Sequence, residues 1–116
     1  MIKMTELKIT TKMMEEIQEK TKANKKLNEL IDQCTAMEIK ERNKRASILL
    51  ELTNSGEKMT EKVKTAKADE LLKSEMGQIT HLKKDIGKIK RDIEIHNDNI
   101  SLYRNMIREL QIINSL

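Results

Sequence analysis

The chain has no phenylalanine, tryptophan or proline, and only one tyrosine, one cysteine and three glycines. Each shortage excludes something. Large aromatic rings dominate the core energetics of compact domains, so 1% aromatics in 116 residues argues against a globular core. Without proline nothing obliges a helix to stop, and glycine offers only three weak points. The single Cys34 precludes an internal disulfide and fits a reducing compartment. No apolar run approaches the roughly 18 residues of a membrane span. The opening MIKMTELKITTK lacks the apolar stretch of a signal peptide. These absences predict an intracellular protein, cytoplasmic or cytoskeletal with the nucleus as the alternative, and no membrane insertion.

What the chain does have is charge. Asp, Glu, Lys and Arg make up 36% of it, 23 basic against 19 acidic residues for a net charge of +4. The two signs are interspersed, as on a solvated helix surface, with a weak pull toward acidic partners. Lys, Glu, Ile, Leu and Met fill most of the rest, a blend typical of long helices. The expected fold is all-α, with long helices forming a coiled coil.

The strongest pattern lies in residues 79–110. Ile79, Leu82, Ile86, Ile89, Ile93, His96, Ile100, Tyr103, Ile107 and Leu110 follow strict 3-4 alternation, and all five a positions are isoleucine. That is a coiled-coil seam over more than four heptads, roughly 48 Å at 1.5 Å per residue. Isoleucine at a with leucine at several d positions favours a parallel two-stranded coil. The rims agree: Asp85 and Asp92 at g would attract Lys83 and Lys90 at e across a parallel pair, although each contact is worth only tenths of a kcal/mol.

The remaining chain divides into a first helical segment, residues 1–53, a turn or kink at 54–56, and a second segment, 57–116. In the first twelve residues Thr5 or Thr11 could cap a helix start. The apolar row Met13, Ile17, Leu27, Ile31 and Cys34 is interrupted: Lys20, Asn24, Glu38, Glu41 and Arg45 also fall on its core positions. Thr53-Asn54-Ser55-Gly56 is the one turn-like cluster, with Gly56 as a helix stop and Asn54 with Glu57 as a capping box for the second helix. Met59, Val63 and Ala66 open that helix in one register and Leu72, Ile79 and Ile86 follow another, changing near Met76 and Gly77. A fold-back at Gly56 would pair residues whose numbers add to about 110, setting Ile79 near Ile31 and Ile100 near Thr10. The first helix is too polar there to cover the isoleucines alone, which implies a second chain.

Individual side chains point to pairing, not chemistry. His96 is a polar layer within the seam, either titrating near neutrality or setting register through a bond to a partner side chain. Tyr103 packs its ring and sends its hydroxyl to the rim. His81 lies off the seam, and two histidines with one distant cysteine make no metal constellation. Lys83, Lys84, Lys88, Lys90 and Arg91, like Lys20, Lys22, Lys25 and Lys26, read as solvated rims that could touch phosphates. Residues 41–47 are no bZIP basic region, because Leu50 and Glu51 replace its final pair and the arginine density is missing. No phosphate loop, nucleophile motif or paired-carboxylate site is present. The expectation is a non-enzymatic interaction protein without cofactor or metal. It would pair with protein helices, as a homo- or hetero-oligomer, in a cytoskeletal, ciliary, kinetochore or tethering assembly. A nucleic-acid-associated adaptor is the alternative.

Overall fold

A computed structural model describes residues 2–116. It is all-α, with no strand among the described residues: α1 spans Ile2–Asn54, α2 Glu61–Leu71 and α3 Lys73–Ser115. Helix α1 runs for 53 residues because it contains neither glycine nor proline. Its threonines, poor helix formers, are accommodated by donating to the carbonyl four residues back. Thr10, Thr11, Thr21 and Thr53 bond Glu6, Leu7, Ile17 and Leu49 in this way at 2.8–2.9 Å. Thr5 and Thr11 therefore sit inside the helix and do not cap it.

The helix stops after Asn54. The Ser55 hydroxyl donates to the Leu52 carbonyl at 2.8 Å, and Gly56 takes φ 79°, the left-handed conformation that ends helices and that a side chain resists. The expected capping box does not form, since Asn54 still belongs to α1. Thr60 caps α2 instead: its backbone is extended and its Oγ1 accepts the Val63 N–H at 3.2 Å, with Glu61 favourably placed in the first turn. The second helix thus starts at Glu61, four residues later than the sequence pattern suggested.

The register change falls at Leu72, earlier than Met76 and Gly77. Leu72 leaves helical geometry (φ −100°, ψ 12°), separating α2 from α3. Its N–H still bonds the Ala68 carbonyl at 3.0 Å, and its carbonyl accepts the Met76 N–H at 2.9 Å. Hydrogen bonding therefore runs through the break. The inward row is Lys64, Ala68, Leu72, Glu75, Ile79, Leu82 and Ile86, while Val63 and Ala66 face solvent. Two successive steps of four at Lys64, Ala68 and Leu72 form a stutter, which unwinds a coil locally. Leu72 and Ala68 are the most deeply buried residues, at 1% and 0% exposure.

The chain forms two compact units, residues 2–28 with 87–116 and residues 29–86. In each, a stretch of α1 lies antiparallel to the later helix. In the first unit Glu16 meets His96 and Glu6 meets Gln111. In the second, Arg45 meets Asp69, Lys44 meets Glu75 and Lys83 approaches Glu38. The parallel preference of the rims concerns a second chain, whereas α1 is an antiparallel neighbour on the same polypeptide. The pairing is also shifted from the simple fold-back: Ile79 shares a groove with Glu38, Glu41 and Arg42, whereas Ile31 is 38% exposed.

Candidate partner-binding surface

The ten seam residues all lie on the inner face of the later helix. Ile100 is buried, and Ile79, Leu82, Ile86, Ile89, Ile93, His96, Tyr103, Ile107 and Leu110 are half-buried. Within the chain their mate is α1. Ile9 is buried in the first unit, and Leu30 and Cys34 in the second. The isoleucine row is therefore half covered by its own chain and not left in water.

Polar side chains of α1 explain how this works. Glu16 Oε2 lies 2.6 Å from His96 Nδ1, with both side chains 23% exposed. The polar layer thus has an acceptor from the opposite helix, and carboxylate and imidazole satisfy each other where apolar contacts would have left both orphaned. Arg45 clamps two carboxylates: Nε donates to Glu41 Oε1 at 2.8 Å and Nη1 to Asp69 Oδ1 at 2.6 Å. These bonds, Asp69's first, raise the guanidinium pKa further above its ordinary value. Lys44 Nζ donates to Glu75 Oε1 at 2.8 Å, and this bond with a backbone N–H of Glu75 holds that carboxyl below the usual range. Two of the positions that break the apolar row of α1, Glu38 and Arg45, are where cross-helix charges meet.

Cys34 has a different role. Its side chain is 4% exposed and its Sγ donates to Glu38 Oε1 at 3.2 Å. Burial first, then this bond and the nearby carboxylate charge, push the thiol pKa up, and Cys34 packs as a core residue.

The candidate basic sites are dispersed. Lys83, Lys84, Lys88, Lys90 and Arg91 are all exposed, with Lys83 4.0 Å from Glu38. Lys22 pairs with Glu19 at 3.3 Å, and Lys20 is half-buried. His81 is solvated beside Asp85 at 3.4 Å. Among the described residues no group of three His, Cys, Asp or Glu is arranged to hold a metal ion. None of the described helices is long and apolar enough to cross a membrane.

Sequence reasoning missed the outer faces. Among the described residues six apolar side chains are buried and fifteen large ones are exposed. They include Met4, Leu7 and Met14 on α1, and Ile95, Leu102, Met106 and Ile113 on α3. The signal was present as a second 7-4-7 spacing on α3, hidden behind the stronger inner row. In the second unit an open groove of about 760 Å³ runs over Ala36, Met37, Ser74, Gly77, His81 and Leu82, with Gly77 leaving its floor without a side chain. No known family model, curated protein or solved structure matches the chain.

Proposed function

We propose that the protein is a structural, non-enzymatic interaction protein, a coiled-coil subunit or scaffold of a larger intracellular assembly of cytoskeletal, ciliary, kinetochore or tethering type. One observation carries this reading: among the described residues more large apolar side chains are exposed than are buried. Contiguous exposed apolar surface marks sites of protein association. Its arrangement in helical stripes fits partner helices that insert side chains between the rows. The half-covered inner row offers a further edge to such a helix.

The test is affinity purification from the native cell with quantitative mass spectrometry, using the wild-type chain and a variant carrying Leu7→Lys, Ile39→Lys and Leu50→Lys. All three positions are exposed, so the fold should persist. Partners lost from the variant and retained by the wild type at about 0.5 M salt support the reading. Identical partner lists would sink it. Exposed Lys84, Lys88 and Arg91, at i, i+4 and i+7 on α3, favour the nucleic-acid adaptor as a second reading. Its signature is steep loss of binding with salt.

A further inference from the structure

The outer stripe of α3 has a property that the inner row lacks. Ile95, Asn99, Leu102, Met106, Glu109 and Ile113 are spaced 4-3-4-3-4, which reads the same in both directions. The four apolar members are 56%, 55%, 37% and 53% exposed for Ile95, Leu102, Met106 and Ile113. Each therefore has area to lose. The stripe is about 27 Å long at 1.5 Å per residue and lies wholly within the first unit.

We infer that this stripe is the docking surface for a second copy of the chain, laid antiparallel across it about a two-fold axis between residues 102 and 106. This rests on the reading above and names its partner. A closed two-fold contact requires a self-complementary patch, and the palindromic spacing supplies one. Ile95 packs on Ile113 of the second copy, Leu102 packs on its Met106, and the reciprocal pairs follow. Asn99 meets Glu109 of the second copy, so an amide donates to a carboxylate where the stripe is polar. In a parallel pair Glu109 would face itself, two like charges at a seam position, which disfavours that orientation.

A membrane surface is the poorer occupant: Glu94, Asp98 and Glu109 flank or interrupt the stripe, and no Trp or Phe anchors it.

The test is sedimentation velocity of the full chain from about 5 to 200 μM, for wild type and for Leu102→Glu with Met106→Glu, which brings four carboxylates together at the two-fold axis. The wild type should sediment as a dimer at the upper concentrations. The double variant should be at least about 100-fold weaker in association, with helical circular dichroism unchanged. Orientation is read by mixing Leu102→Cys and Met106→Cys chains in a Cys34→Ser background under mild oxidation. In an equimolar mixture, disulfides between the two species well above the one half or so that random pairing gives support the antiparallel arrangement, and a share at or below it overturns it. A wild type that stays monomeric, or a double variant that dimerises normally, overturns the inference. Neither result touches the wider reading, which stands or falls on partner capture through the other faces.

Discussion

His96 and Glu16, eighty residues apart in the chain, meet at 2.6 Å inside the first unit. Removing one partner alone would leave the other partly buried against hydrocarbon, at a cost of about 1–3 kcal/mol. His96→Leu should therefore lower stability by about 1 kcal/mol. Replacing both, His96→Leu with Glu16→Leu, should exceed wild type by about 1–2 kcal/mol. Urea unfolding of all four proteins gives the coupling directly. Additive effects would show that the contact contributes nothing.

Arg45 is the hub of the second unit, holding Glu41 and Asp69 and placing Nη2 3.4 Å from Met76 Sδ. Its side chain is 24% exposed and that of Asp69 is 47%, so water screens part of the attraction. Arg45→Met should cost about 1–2 kcal/mol, more than Asp69→Asn, because it leaves two carboxylates unpaired. Equal melting curves for Arg45→Met and wild type would contradict that role.

Acid should weaken the second unit through Glu75. Its carboxyl is depressed in the folded chain by the Lys44 bond and a backbone N–H, from an ordinary value of 4.5. The unfolded chain therefore binds more protons between the folded value and 4.5, and stability rises with pH across that window. The contribution is complete above the ordinary value and is lost as pH falls through the folded one. Glu75→Gln should flatten this limb of the stability curve while leaving the limb near neutrality parallel to wild type. Unfolding midpoints measured between about pH 3 and 7 check it.

The turn should respond to two substitutions in different ways. Gly56→Ala forces a side chain into φ 79° and should cost about 1–2 kcal/mol, although open space surrounds the new Cβ. Thr60→Ala removes the α2 cap for about 1 kcal/mol, and Thr60→Ser should restore most of it. A neutral Gly56→Ala would mean that the chain turns without left-handed geometry.

The helical class and the inner face of α3 were legible because 3-4 alternation over ten positions has no competing explanation. The antiparallel mate was not. Glu38 and Arg45 look like defects when α1 is read alone, and become contacts only when Lys83 and Asp69, 45 and 24 residues away, are in place. Periodicity cannot carry that information. Asn54 and Glu57 matched a capping pattern, but α1 simply ran on to Asn54, and the weaker signal at Thr60 took the role. Val63 and Ala66 misled the register of α2, since its inner row runs through Lys64, whose aliphatic stem packs while its Nζ reaches Thr53 at 3.3 Å. The outer stripe from Ile95 to Ile113 was readable and overlooked.

The turn from Ser55 to Thr60 also sets the molecularity of assembly. Because α1 carries its mate on the same polypeptide, closing the two-stranded fold is a first-order event whose midpoint dilution cannot move. The docking proposed for the outer stripe is second order and shifts with the amount of protein present, so dilution separates the two events.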